Sequence, residues 1–272
     1  MNLPSYFKQQ LRIMNEAIDN LLPKAKMQPA IIHEAMRYGV LNGGKRFRPI
    51  LVLASAEACG EKPEQAIYPA VAVELIHAYS LIHDDLPCMD GDDFRRGKPS
   101  CHRKFGEAQA LLAGDALLTF AFEILSKVKP AQKSQRFTQV LAHAIGTAGM
   151  IGGQVMDKLY EDRTVDLPTL SYIHVHKTGQ LIRACCQLGA ISAGARLAKE
   201  QALTRFGEYL GFAFQVIDDI IDSDGYTKLM SVEEAREDAS ELIAKAKEQL
   251  KPFGRKAERL YEIADFVLRR KH

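Results

Sequence analysis

The chain has 272 residues, 47% of them hydrophobic, and a formal net charge of +2. That apolar content is enough for a large buried core, while so even a charge balance gives no electrostatic basis for binding nucleic acid or a bulk membrane surface. Five cysteines, an odd number that includes the adjacent Cys185 and Cys186, do not read as a secreted disulfide framework. The opening MNLPSYFKQQL lacks a basic region followed by an apolar one, and no run of 18 apolar residues exists, so a cytoplasmic protein without stable membrane insertion is expected.

Apolar residues recur at helical spacing from the start, where Phe7, Leu11, Met14, Ile18 and Leu21 trace one stripe. The Gly43-Gly44 turn follows, and then ILVLASA (Ile50 to Ala56). A strand is conceivable for that run, but it continues in helical register without turn residues on both sides. Segments around 64–86, 107–128 and 170–196 are apolar on most of their circumference, which places them in the middle of a bundle. Pro23, Pro29, Gly60, Pro87, Gly97, Pro130, Pro168 and Gly225 punctuate roughly ten helices, and no convincing period-2 run is present. The expected fold class is all-α, in a single domain over residues 1–272 with no linker and no internal repeat.

Two acidic clusters interrupt this apolar pattern: Asp84, Asp85 and Asp90 in HDDLPCMDGDD, and Asp218, Asp219 and Asp222 in FQVIDDIID. Asp218 and Asp222 lie at i and i+4, so they share a helix face and repel by about 0.2–0.5 kcal/mol even when solvated. Phe212, Phe214, Val216, Ile217, Ile220 and Ile221 surround them in sequence, and desolvation makes uncompensated carboxylates costlier still. Gln215, Asp218 and Asp222 form one polar stripe. Asp90 is six residues from Asp84, the wrong face of a continuous helix, so the break at Pro87 is what could return it alongside. The plainer alternatives are a helix end running into a solvated acidic loop, and a charged helix surface. All-aspartate ligation favours Mg²⁺, which keeps its waters and bridges to phosphate, over zinc or iron. The Glu and Glu-x-x-His pattern of a di-iron bundle is missing.

Lys45, Arg46 and Arg48 sit at the Gly-Gly turn, where backbone approaches an anion closely and arginine offers paired donors to phosphate. A solvated surface loop is the plain alternative. His77 reads equally as a core histidine. His83, His174 and His176 are read as structural or unassigned, because a zinc site would need a matching ligand set.

In order along the chain come GGKRFRP (Gly43 to Pro49), ELIHAYSLIHDD (Glu74 to Asp85), DDLPCMD, RRG (Arg95 to Gly97), LLAGDALL (Leu111 to Leu118), GMIGGQVMD (Gly149 to Asp157), HKTGQLI (His176 to Ile182) and FQVIDDIID (Phe214 to Asp222). This ordered set resembles the trans-isoprenyl diphosphate synthases, and among them the bacterial farnesyl diphosphate synthases. The resemblance implies a single helical bundle around a central apolar cavity, and a homodimer. It implies a prenyltransferase that condenses isopentenyl diphosphate head to tail with the allylic dimethylallyl and geranyl diphosphates to give farnesyl diphosphate. Geranylgeranyl diphosphate synthesis is the alternative, and a class I terpene cyclase a further one; a non-catalytic subunit would typically have lost its aspartates.

The same resemblance assigns the catalytic set to Asp84, Asp85, Asp90, Lys177 and Asp218. Asp84, Asp90, Asp218 and Asp222 would hold three Mg²⁺ ions, with Mn²⁺ as a substitute, while Asp85 and Asp219 support them. Lys45, Arg48, His77 and Arg96 would bind the metal-free diphosphate of isopentenyl diphosphate. Arg95, Lys177, Thr178 and Gln215 would touch the allylic diphosphate. Product length points to Tyr79 and Ser80, just before Asp84. Five helical residues are about 7.5 Å of rise, so the Tyr79 ring would floor the tunnel that receives the allylic tail; Ser80 is too small to do so. Tyr79 as an ordinary core aromatic is the alternative.

One departure stands out. After Asp222 the family has a long loop with a Gly-Lys segment and a further Lys, whereas here Ser223-Asp224-Gly225 leads straight to Tyr226. The expectation is that a mobile lid is left out of the sequence at this point rather than deleted from the polypeptide. A true deletion would remove a phosphate-binding Lys.

Overall fold

The computed structural model describes residues 2–161 and 163–270. Among the described residues there are thirteen α-helical segments and one two-stranded ribbon, so the fold is all-α as expected. Contacts divide the chain into two compact units, Met1–Ile50 with Ile67–Gln135, and Leu51–Ala66 with Arg136–His272.

In the first unit, α1 (Leu3–Leu21) starts at Asn2, whose side chain accepts the Ser5 N–H at 3.0 Å, with a proline in the first turn. It buries Tyr6, Gln10, Met14 and Ile18. The sequence stripe is therefore turned by one position, and Phe7, Leu11 and Leu21 are only half-buried. Helix α2 (Ala30–Leu41) and α4 (Ile67–Asp84) pack on each other and on α6 (Glu107–Ser126). Two glycines permit the close approach. A Cβ at Gly39 would meet Ile82 Cδ1 at 2.4 Å, and one at Gly114 would meet His83 Nε2 at 2.0 Å. His83 Nε2 in turn lies 3.0 Å from the Leu111 carbonyl, which fastens the end of α4 to α6. Residues Val71 to Ile76 of α4 are essentially inaccessible to solvent. The stretch Pro63–Asp84 and α6 are long and apolar enough to cross a membrane, but the former is 67% buried inside the protein, as befits a core helix.

Between α4 and α5 (Cys101–Phe105) the chain forms β1 (Phe94–Arg95) and β2 (Lys98–Pro99), antiparallel with Arg95 opposite Lys98. The period-2 reading missed this hairpin because each strand has two residues. Arg96 and Gly97 between them have φ of 56° and 74°, the pair of positive values that a tight hairpin turn needs.

In the second unit, α11 (Leu197–Asp222) packs against α10 (Gln180–Ser192), α12 (Val232–Gln249) and α13 (Glu258–Arg269). ILVLASA is helical, within α3 (Phe47–Ala58). The expected continuous helix over 170–196 is instead α9 (Leu167–His174), a π-helical turn at Val175–Gly179, and α10. Helix α8 (Met150–Tyr160) explains the turn's setting. A Cβ at Gly153 would lie 2.1 Å from the Lys177 nitrogen, so backbone meets backbone there. Helix α12 begins in a capping box between Ser231 and Glu234. Leu170, Val216, Ile217, Tyr226, Ala235 and Ala239 form a buried cluster under the C-terminal half of α11, and each large apolar side chain there contributes about 1.5–3 kcal/mol.

Candidate active site

The first unit gathers the cationic residues around α4. Gly43 and Gly44 have φ of 97° and 113°, and a Cβ at Gly44 would sit 2.7 Å from the Arg96 guanidinium carbon. Only glycine leaves room for that guanidinium, which donates to the Gly43 carbonyl. Arg46 is turned the other way. It is 3% exposed, and it donates to Asn15 Oδ1 at 3.0 Å, to Glu74 Oε1 at 2.5 Å and to the Val40 carbonyl at 2.7 Å. Arg46 is therefore a buried support that ties the turn to α1, α2 and α4. Lys45 is exposed and Arg48 half-buried on either side of it. His77 is held well below the ordinary imidazole range, first by burial and then by the guanidiniums of Arg48, Arg96, Arg46 and Arg95. A neutral imidazole among four arginines is an anion-binding environment that needs no metal.

The first aspartate cluster lies at the end of α4. Beyond Asp84 the helix gives way, with the Leu86 amide donating to His83 and the Gly91 amide to Leu86. The Asp90 amide donates to the Asp84 carbonyl at 2.8 Å. The Pro87 break thus returns Asp90 to Asp84, as the spacing required. Asp85 points inward, 2% exposed, and accepts from Arg95 Nε at 2.8 Å. Burial raises its carboxyl above the usual range while Arg95 pulls it down. Arg95 is also bound to Asp92 at 2.7 Å, a partner absent from the sequence reading. Tyr79 is buried, edge-on to His83 with ring centres 5.7 Å apart, and its hydroxyl has no hydrogen-bond partner. Burial and Asp84 push that phenol up to about 12. Ser80 is half-buried and donates to the His77 carbonyl at 3.0 Å.

The second cluster closes α11. Asp218 is half-buried and Asp222 exposed one turn later. Asp218 Oδ1 lies 2.8 Å from Arg270 Nη2, and the Arg270 guanidinium stacks over the Phe214 ring at 4.3 Å. Nothing in residue spacing pointed to Arg270. Asp219 turns inward, where its Oδ2 accepts the Tyr226 N–H at 2.8 Å and lies 3.4 Å from His174 Nε2. Burial, with Asp224, Asp218 and Asp222 adding to it against the Tyr226 N–H, pushes the Asp219 carboxyl up to about 7. His174 stacks on Tyr226 and is pushed down to about 4 by burial, so it is neutral. Lys177, in the π-helical turn, pairs with Asp157 at 2.5 Å. Such turns are frequent at functional sites. Thr178 and Gln215 are half-buried nearby in sequence and on α11 respectively.

The chain after Asp222 is continuous. Ser223 adopts a left-handed cap with φ 56°, the Asp224 amide donates to the Asp219 carbonyl at 3.0 Å, and a short 3-10 turn over Gly225–Lys228 follows. A Cβ at Gly225 would fall 1.9 Å from Asp219 Oδ2. The full sequence holds no further residues here, which corrects the expectation of a lid left out of it. Lys228, the first cation after the cluster, is occupied by Asp224.

Mg²⁺ fits the donors present. Among the described residues no three acidic, histidine or cysteine side chains converge into a ready-made metal cage. Mg²⁺ needs none, because it takes one or two carboxylates and completes its shell with water and phosphate oxygens. Asp84 with Asp90, and Asp218 with Asp222, each supply such oxygens. Cys59, Cys101 and Cys186 are pushed up to about 11, 12 and 12 by burial, which leaves them as inert thiols.

Residues 29–249 match the polyprenyl synthetase family model. The chain is 42% identical to a farnesyl diphosphate synthase of Escherichia coli over 297 aligned positions, covering 99% of each chain. It is 43% identical to a chloroplastic geranylgeranyl pyrophosphate synthase of Capsicum annuum, covering 98% of this chain and 78% of that protein. The apo crystal structure of an FPP/GFPP synthase from Zymomonas mobilis superposes with a TM-score of 0.93 at 39% identity, covering 98% of this chain and 99% of that one. The fold and the family match define a prenyltransferase, of a family that is metal-dependent. The chain belongs to the polyprenyl synthetase family, and its activity is that of a trans-prenyl diphosphate synthase acting on isopentenyl and allylic diphosphates. The alignment with the Escherichia coli protein is longer than this chain's 272 residues, so that relative carries residues missing here.

Proposed function

We propose that the protein condenses isopentenyl diphosphate with dimethylallyl and then geranyl diphosphate, and releases farnesyl diphosphate as its main product. The observation that carries this reading is the neutral His77 among Arg46, Arg48, Arg95 and Arg96. Arg48, Arg96 and Lys45 bind the diphosphate of isopentenyl diphosphate by charge-assisted hydrogen bonds, and His77 adds a neutral donor or acceptor without adding repulsion among the guanidiniums. Arg46 holds the turn in place through Glu74. Arg95, aimed by Asp85 and Asp92, serves the allylic diphosphate together with Lys177, Thr178 and Gln215. Asp84, Asp90, Asp218 and Asp222 are the Mg²⁺ ligands, and Mn²⁺ can replace it. Bound Mg²⁺ supplies neutralisation of the diphosphate leaving group.

Product length rests on Tyr79, a buried ring about 7.5 Å of helix rise below Asp84. Relatives bear both farnesyl and geranylgeranyl names, so chromatography of the products decides. Wild-type enzyme supplied with geranyl and isopentenyl diphosphates is expected to stop at fifteen carbons, and Tyr79→Ala to extend to twenty or more. A twenty-carbon wild-type product, or a variant that still stops at fifteen, would remove Tyr79 as the ruler. A cytoplasmic homodimer completes the reading. Leu111 and Leu112 of α6 support it, 47% and 56% exposed on an apolar helix, since such side chains are commonly covered by a partner. Light scattering gives the mass.

A further inference from the structure

We propose that Arg270 is a built-in stand-in for the metal at the second aspartate cluster: its guanidinium holds Asp218 while no divalent cation is bound, and is displaced when one arrives. The inference rests on the reading of Asp218 as a metal ligand and goes beyond it by giving the metal a competitor within the chain.

Four features define the seat. Arg270 Nη2 lies 2.8 Å from Asp218 Oδ1, a contact that places a full positive charge where a ligated cation would otherwise lie. Phe214 is four residues before Asp218 on α11, so ring and carboxylate share one face, and the guanidinium lies over the ring at 4.3 Å. Arg270 Nη1 is buried without a hydrogen-bond partner. The site therefore satisfies the charge of the guanidinium but only part of its donor fork, which is not how a permanent clamp is built. Finally, Arg270 has just left α13, with ψ 135° and one long hydrogen bond of 3.4 Å from its amide to the Val267 carbonyl. Both side chains of the pair keep contact with solvent, at 21% and 26% exposure.

A clamp is also redundant here. Leu260, Ile263, Ala264 and Val267 already bury the apolar face of α13, and α13 packs on both α11 and α12. The short connection after Asp222 offers no competing cation, because Lys228 is engaged by Asp224. Arg270 is thus a cation that the fold brings to this carboxylate among the described residues. A divalent ion, with twice the charge and direct coordination, displaces it.

Mn²⁺ binding to the full chain, followed by electron paramagnetic resonance with and without inorganic diphosphate, tests this without any turnover. Arg270→Gln is expected to bind Mn²⁺ about threefold more tightly than the wild type, the scale of a partly solvated ion pair. Arg269→Gln, which removes a neighbouring exposed charge, is expected to leave the affinity unchanged, and the gain is expected to vanish when Asp218→Asn is added to Arg270→Gln. Phe214→Leu, which removes the ring but no charge, should give a smaller gain in the same direction and serves if Arg270→Gln folds poorly. Unchanged or weaker binding in Arg270→Gln, or an equal gain in Arg269→Gln, would overturn the proposal while leaving the metal reading intact. Absence of Mn²⁺ binding in every form, even with diphosphate, would defeat both.

Discussion

Asp85 and Asp219 are each the second acid of an Asp-Asp pair, and each turns its carboxyl into the protein, but they meet different neighbours. Asp85 is compensated by the Arg95 guanidinium, whereas Asp219 has only a backbone N–H and a neutral histidine and is pushed up to about 7. The first pair reaches Asp90 through a proline-broken helix end. The second reaches Asp222 through uninterrupted α-helical periodicity. The same letters thus yield an arginine-braced acid in one unit and an acid without a cationic brace, pushed up to about 7, in the other. Local sequence sets which residue turns inward; the partner that meets it sets the charge.

The largest expected effect tests what the two clusters share. Asp84→Ala and Asp218→Ala should each lower Mg²⁺-dependent turnover by about 100-fold or more, since in the proposed site each removes an oxygen ligand where charge develops, while circular dichroism stays that of the wild type. Near-normal turnover in one of them would break the equivalence of the clusters.

Arg48→Ala probes the metal-free half of the site. The apparent KM for isopentenyl diphosphate should rise about 10-fold or more, the worth of a charge-assisted hydrogen bond, and that for geranyl diphosphate far less. Equal shifts for both substrates would mean that the arginine ring around His77 does not discriminate between them.

The contrast between the inward acids is sharpened by two asparagine variants. Asp85→Asn should destabilise the protein by about 1–3 kcal/mol because it leaves Arg95 short of its partner. Asp219→Asn keeps an acceptor for the Tyr226 N–H and should cost under about 1 kcal/mol. Urea denaturation at one pH measures both, and the reverse ranking would contradict the described compensation.

The smallest effect concerns pH. His77 in the folded chain stays neutral well below the ordinary imidazole range, while the unfolded chain takes up a proton near pH 6.5. As pH falls below about 6.5 the unfolded state binds more protons, so stability falls until the folded-state value is reached. His77→Gln should lose less stability than the wild type between pH 7 and 5. Parallel losses in the two proteins would place the acid sensitivity elsewhere.

Much of this was legible from residue order. Helical periodicity, the Pro87 break, the acidic pairs and the glycine turn are short-range patterns, and the backbone obeyed them: Asp90 returns to Asp84, ILVLASA is helical, and Gly44 makes room for a guanidinium. Other features escaped because they depend on partners far apart in the chain or on very short elements. Arg46 looked like one more ligand of the cationic turn until Glu74, Asn15 and Val40 enclosed it. The Arg95–Lys98 hairpin is too short to show a period, and the π-helical turn at Lys177 reflects the close approach of Gly153. Arg270, some fifty residues beyond Asp218 and at the end of another helix, reaches that carboxylate only because α13 folds back on α11. Periodicity and turn chemistry act over a few residues and are written in the sequence by itself; charge compensation acts through space, and only the tertiary structure decides which cation each acid meets.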